Sequence, residues 1–143
     1  MEDVGDAVAP TDDGLEIENW LYQDRDDIVG ILGPPDEEQA MHSMEMIYQE
    51  HQLMVFYDGN TPDNQVTGVS LYQESGYRYR GTGLGMTFAQ IQDRLGEPQS
   101  IGFDEMSAKY LMMYHFDDIE AYYFAENEGA PVDQLSVFNK NRQ

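Results

Sequence analysis

Residues 85–98 have the sequence GMTFAQIQDRLGEP, and this stretch predicts the start, the buried side and the end of a short helix. Thr87 is the predicted N-cap, and Gln90 three residues later completes a capping box. Phe88, Ile91 and Leu95 recur at i, i+3 and i+7, which is the spacing of one buried helical stripe. The Gly and Pro that follow predict a left-handed C-terminal residue and a stop. A helix of two turns is marginal alone, so we expect it to pack on a sheet.

The same helix ending occurs earlier in the chain. Leu32-Gly33-Pro34-Pro35 matches Leu95-Gly96-Glu97-Pro98, and Asp24 is the corresponding predicted N-cap. Beyond the helices an offset of 66 residues aligns a run of apolar and aromatic positions, for example Tyr48 with Tyr114. An ordered run of matches with one small gap predicts a tandem duplication.

Strand patterns follow each predicted helix. The predicted strands cover 44–48, 53–57 and 66–72 after the first helix, and 109–116, 119–124 and 134–139 after the second. Residues 77–81 are a predicted connecting strand, with 15–20 as its counterpart before the first helix. The predicted fold class is α+β, with two tandem helix-plus-antiparallel-meander repeats and short helices packed on one face of an antiparallel sheet. The predicted domains are an acidic flexible tail over 1–14, repeat 1 over 15–80 and repeat 2 over 81–143.

The second helix motif, Gly85-Met86-Thr87 followed by Ile91 and Leu95-Gly96-x-Pro98, resembles the signature of the SmpA/OmlA (BamE) proteins and of the beta-lactamase inhibitor protein (BLIP-like) family. The first copy keeps Leu32-Gly33-x-Pro35 but has Tyr22-Gln23-Asp24 in place of Gly-Met-Thr. The resemblance implies a concave sheet built from two units and used for binding without catalysis, in proteins that are commonly exported or lipid-anchored. It implies no particular partner, because the motif residues cap helices.

Composition excludes several classes of function. The chain has 28 acidic and seven basic residues, and its formal net charge is −21. Such a charge repels a phosphate backbone, so we expect no nucleic-acid partner. Halophilic solvation, DNA mimicry, a basic partner and simple solubility remain open as reasons for the acidity. The absence of Cys excludes disulfides, a thiolate nucleophile and Cys-based metal sites, and no apolar stretch is long enough to span a membrane.

No motif in the sequence favours catalysis. Gly81-x-Gly83-x-Gly85 lacks both the Rossmann spacing and the P-loop lysine, and the acidic loop at 58–63 lacks the final glutamate of a calcium loop. His42, His51 and His115 have no paired ligand spacing. We therefore expect no enzyme, no cofactor and no metal.

The aromatic residues of the strands carry the candidate site. Strand alternation places six side chains on the face opposite the aliphatic set; these are Met54, Phe56, Tyr72, Tyr122, Phe124 and Phe138. Aromatic side chains with a rim of carboxylates have the composition of a recognition surface. The sequence therefore favours a non-enzymatic protein-binding module, such as an inhibitor or immunity-type protein against a partner with a basic surface.

The alternative is a cell-envelope lipoprotein with a structural or assembly role. In that case the acidic start is a linker that followed a signal peptide and a lipid-bearing cysteine, and the protein lies in the envelope or is secreted. Otherwise we expect it in the cytoplasm. The sequence does not indicate an oligomeric state.

Overall fold

The strands of the chain pair into one antiparallel sheet. The computed structural model describes residues 15–41 and 43–142, so the tail predicted over 1–14 lies outside the described residues, as does His42. The described elements are α1 (Arg25–Leu32), β1 (Glu37–Ala40), β2 (Met44–Tyr48), β3 (Leu53–Asp58), β4 (Gln65–Tyr72), α2 (Phe88–Leu95), β5 (Ser100–Asp104), β6 (Lys109–Phe116), β7 (Ile119–Ala125) and β8 (Val132–Asn139), with 3-10 turns at Glu18–Tyr22 and Lys140–Arg142.

All eight strands belong to a single sheet with the order β1-β2-β3-β4-β8-β7-β6-β5. Every neighbouring pair is antiparallel. The central strands β4 and β8 pair with each other, and Ser70 lies opposite Ser136. The sheet therefore continues across the boundary predicted between residues 80 and 81.

The predicted fold class, two tandem helix-plus-meander repeats, is wrong. The strands form one continuous eight-stranded sheet that carries only two short helices in the described part of the chain. The prediction relied on matching helix ends and matching apolar positions. Those features specify local elements, whereas the choice of hydrogen-bonding partner between strands is non-local.

The strands predicted at 77–81 and 15–20 are also wrong. In these segments the structure has isolated bridges, one between Glu16 and Arg78 and one between Tyr79 and Thr82. The first segment instead ends in the 3-10 turn at Glu18–Tyr22, whose Trp20 and Leu21 are buried. The side chains of Trp20 and Leu21 are buried, as their apolar character predicts, but they lie in a turn and not in a strand.

The helix ends predicted from sequence are confirmed. The Thr87 hydroxyl accepts from the Gln90 backbone N–H at 3.2 Å, and the Gln90 side chain accepts in return from Thr87 N at 3.0 Å. Gly33 and Gly96 end the two helices at φ values of 87° and 88°, where an L side chain is strained. Each helix end also receives a tyrosine hydroxyl bond from the sheet, from Tyr48 to the Gly33 carbonyl at 2.9 Å and from Tyr114 to that of Gly96 at 2.6 Å.

The hydrophobic core lies on one side of the sheet. Ile28 of α1 and Ile91 of α2 are fully buried in the same cluster as the 3-10 turn residues and the inward side chains of the strands. The central inward side chains are Met46, Val55, Val69, Leu71, Leu135, Val137, Ala121 and Tyr123. No helix in the described part of the chain is long and apolar enough to cross a membrane.

Candidate functional site

Strand register places the predicted aromatic positions on the side of the sheet opposite this core. Phe56 lies opposite Gly68, and Gly68 lies opposite Phe138 on β8. Phe138 and Tyr122 contact at a ring-centroid distance of 6.0 Å, and Phe56 and Phe138 at 5.8 Å. We call Phe56, Tyr122 and Phe138 the aromatic cluster. All three side chains are half-buried, so each keeps part of its surface in contact with solvent.

Gly68 makes the aromatic cluster continuous across β4. A Cβ atom at this position would lie 2.4 Å from Phe138 Cδ1 and 2.7 Å from Cε1. The Phe138 ring therefore lies directly over the Gly68 backbone and reaches toward Phe56. A glycine inside a strand often marks such a close approach. The sequence carried this signal as the single Gly of β4.

The other three predicted site residues are on the same face but outside the cluster. Met54 lies opposite Ser70. Tyr72 and Phe124 are both cross-strand partners of Gln134, which separates their backbones. All three side chains are half-buried. The structure thus places the six residues on one face and brings three rings together.

Glu120 lies at the edge of the aromatic cluster. The Tyr122 hydroxyl donates to Glu120 Oε1, and Lys140 Nζ lies 3.3 Å from Glu120 Oε2. The hydrogen bond from Tyr122 is the main cause that lowers the pKa of Glu120, and Lys140 adds to it. Burial, followed by the bond to Glu120, raises the pKa of Tyr122 to about 12. At neutral pH the edge therefore consists of a neutral phenol and a charged carboxylate that is paired with one lysine.

An open cleft of about 780 Å³ adjoins the aromatic cluster. Phe56 and Phe138 form part of its wall, so the cluster and the cleft share two rings. The rest of the lining comes from the β1–β2 turn and the start of β2, the end of β3 and the loop after it, β4 and the C-terminal turn. It comprises Ala40, Met41, Ser43, Met44, Glu45, Asp58, Gly59, Asn60, Thr67 and Arg142. Sequence reasoning missed these residues, because a cleft between turns leaves no periodic pattern in the chain.

The histidines within the described ranges take part in local hydrogen bonds. His51 Nδ1 lies 3.0 Å from the Tyr77 hydroxyl, and His115 Nε2 lies 3.0 Å from the carbonyl oxygen of Asp117. Across residues 15–41 and 43–142 no group of three or more His, Asp or Glu side chains is arranged to hold a metal ion. The expectation that the chain is not an enzyme is untested and stays a prediction.

No protein-family model matches the sequence. No curated protein matches it either. Comparison with solved structures does find similar folds. An extracellular protein containing a SCP domain from Bacillus anthracis str. Ames superposes with a TM-score of 0.71 at 8% identity, covering 95% of this chain and 50% of that one. A DUF4309 family protein (YjgB) from Bacillus subtilis subsp. subtilis str. 168 gives 0.58 at 14% identity, covering 93% and 87%.

A cysteine-rich secretory protein (SAV1118) from Staphylococcus aureus subsp. aureus Mu50 gives a TM-score of 0.62 at 12% identity, with 86% of this chain and 44% of that chain covered. The present chain thus spans half or less of the length of two of these proteins and most of the DUF4309 protein. At such low identity the similarity shows a shared fold alone.

The resemblance to the SmpA/OmlA (BamE) and BLIP-like families is wrong as a statement of kinship, because the similar structures described above are a DUF4309 protein and two proteins of the SCP and cysteine-rich secretory type. The motif that suggested it, Leu-Gly-x-Pro, ends both helices through a glycine with positive φ. Any short helix that turns into an extended segment benefits from that pair of residues. The motif therefore identifies a helix end, and the chain shares its fold with proteins of other families.

Proposed function

We propose that the chain is a non-enzymatic protein-binding module that docks its partner on the face carrying the aromatic cluster. The observation that carries the proposal is the continuous contact of Phe56, Phe138 and Tyr122 on the side of the sheet away from the core. Phe and Tyr bury a large area for little loss of rotamer entropy, which suits them as anchors. Their half-buried state leaves surface for a partner to cover while the sheet holds each ring in place.

Charge supports a partner with a basic surface. The formal net charge of the whole chain is −21, which favours association with a positively charged partner. Glu45, Asp58 and Glu120 lie near the aromatic cluster, in the cleft lining or at its edge. Electrostatic attraction of this kind raises the association rate and weakens as salt is added.

The test is affinity capture with matched variants. Three purified proteins are immobilised separately: the original chain, the F56A variant and the I31A variant. Each is exposed to an extract of the organism that encodes the original chain. Ile31 lies on α1 and is 52% exposed, so I31A removes apolar surface away from the aromatic face. We expect a protein retained by the original chain and by I31A to be lost with F56A, and its affinity to fall with ionic strength. Equal retention by F56A and the original chain would contradict the proposal.

A further inference from the structure

The cleft beside the aromatic cluster combines apolar lining residues with two carboxylates that form no ion pair with a Lys or Arg of the described residues. We propose that it takes a basic side chain, Lys or Arg, from the partner protein. That the chain has a partner protein rests on the function proposed above. The preference of the cleft for a basic side chain follows from the residues that line it.

Apolar residues of the lining would contact the stem of such a residue; they are Phe56, Phe138 and Met41. Met44 also lines the cleft, but it packs against the hydrophobic core. Met41 is 65% exposed, so its surface is open to a side chain that enters the cleft. Lys and Arg lay their methylene stems along apolar surface and keep the charged group at its polar edge. A cation above an aromatic ring is also attracted by the ring quadrupole.

Two carboxylates line the same cleft, those of Glu45 and Asp58. Glu45 Oε1 accepts from the Gln39 side-chain amide at 3.0 Å, and Asp58 Oδ1 accepts from the Asn60 backbone N–H at 2.9 Å. Neither forms an ion pair with a Lys or Arg within residues 15–41 and 43–142. A carboxylate accepts about four hydrogen bonds, so both retain acceptor positions for an ammonium or guanidinium group.

Arg142 is the basic residue of the lining, and its hydrogen bonds go to the backbone. Its Nη1 donates to the carbonyl of Gln23 at 2.8 Å and to that of Val66 at 3.3 Å, and Nη2 donates to Tyr22 O at 3.1 Å. The guanidinium group is thus held against the end of the 3-10 turn and the start of β4. Among the described lining residues, two carboxylates and one guanidinium give a net negative charge, which favours a cation over an anion.

The inference is tested by following backbone amide signals in NMR spectra during titration of the intact chain. Three probes of similar size are compared: N-acetyl-arginine amide, its neutral isostere N-acetyl-citrulline amide, and N-acetyl-glutamate amide. We expect the arginine probe to shift the signals of Gly59, Asn60 and Phe138 to saturation, with dissociation constants in the millimolar range, roughly −4 kcal/mol. We expect the citrulline probe to bind several-fold more weakly and the glutamate probe to leave these signals unchanged.

Variants locate the site. We expect E45Q and D58N each to weaken binding of the arginine probe by about two- to five-fold, the size of effect expected for losing one charge partner in an open site. E128Q removes an exposed carboxylate from the β7–β8 loop and is the matched control; we expect unchanged binding. Equal binding of arginine and citrulline probes, saturable binding of the glutamate probe, or equal effects of E45Q and E128Q would each overturn the inference.

The outcomes separate the two proposals. If the arginine probe fails while protein capture still depends on Phe56, the cleft inference falls and the proposed function stands. If the arginine probe binds in the cleft but capture does not depend on Phe56, the proposed function falls.

Discussion

The hydroxyl oxygens of Ser70 and Ser136 lie 2.9 Å apart at the centre of the sheet, where β4 pairs with β8. Both side chains are buried, on the face that carries the aromatic cluster. On β3, Met54 lies opposite Ser70, and on β7, Tyr122 lies opposite Ser136. The two hydroxyls therefore fill the space between larger side chains. Each hydroxyl supplies the other with a hydrogen-bond partner that water would otherwise provide.

This pairing predicts non-additive effects of substitution. We expect S70A to lower the free energy of unfolding by about 1–2 kcal/mol, because it leaves the buried Ser136 hydroxyl with only a long contact, 3.4 Å, from the Gln134 amide. The double variant S70A/S136A should lose less than the sum of the single variants, because it leaves neither hydroxyl unpaired. Urea denaturation of all four proteins measures the coupling, and strict additivity would show that the pair makes no net interaction.

Gly68 carries a second prediction, since its missing side chain leaves room for the Phe138 ring. We expect G68A to lower the free energy of unfolding by about 1–3 kcal/mol, because the added methyl must displace the ring or the strand. Gly102 on β5 is the matched control, since a Cβ there has no heavy atom within 4 Å. Denaturation midpoints should fall for G68A and not for G102A. The added substitution F138A should remove the part of the Gly-to-Ala difference at position 68 that comes from the ring, whereas the contact of the new Cβ with the Val137 carbonyl oxygen, at 2.9 Å, remains.

The sequence predicted the interior strands well because each buries one side in the core. All six predicted strands lie within two residues of the observed bounds at both ends. The edge strands β1 and β5 were missed for the opposite reason. Every side chain of β1 is exposed, as are four of five in β5, so neither has the alternation that predicts a strand.

The order of the strands in the sheet and the extent of the site were harder to predict from the sequence. Pairing of β4 with β8 joins residues far apart in the chain; Ser70 and Ser136, for example, are 66 positions apart. Matched apolar patterns do not specify which strands pair by hydrogen bonds. Alternation correctly placed Phe56 and Phe138 on one face. It gave no indication of the cleft, because Met41 and Arg142 approach it through turns.

The contacts of Glu38 predict that part of the unfolding free energy is lost at acidic pH. Arg25 donates to both of its oxygens, at 2.7 and 2.9 Å, and the Tyr57 hydroxyl donates to Oε2. The hydrogen bonds from Arg25 are the main cause that lowers the pKa of Glu38 from 4.5 to about 2. A carboxylate with a lowered pKa stabilises the folded state above its unfolded pKa, and this contribution is lost as the pH falls. The stabilising contribution of Glu38 is therefore lost as the pH falls from about 4.5 to about 2.

We expect the difference in unfolding free energy between the original chain and E38Q to be largest near neutral pH and to shrink across that pH range. Urea denaturation at steps between pH 7 and pH 2.5 measures it. E37Q is the control, because Glu37 is the neighbouring exposed carboxylate and, among the described residues, makes a side-chain contact only with the Gln49 amide, at a long 3.4 Å. A difference for E38Q that stays constant with pH would show that the interaction with Arg25 does not alter the titration.

The last prediction concerns the aromatic cluster as a binding surface. We expect F56A and Y122A each to weaken partner binding by about 1–3 kcal/mol while the chain stays folded, because truncation of an anchor ring removes contact area that the partner covers. Y122F separates the ring from the hydroxyl: it loses the bond to Glu120 and keeps the aromatic surface, so its affinity should stay near that of the original chain. Isothermal titration calorimetry gives the affinities, with I31A as control and circular dichroism as the check on folding. If F56A and Y122A unfold, or bind as tightly as I31A, these rings stabilise the sheet and the partner docks elsewhere.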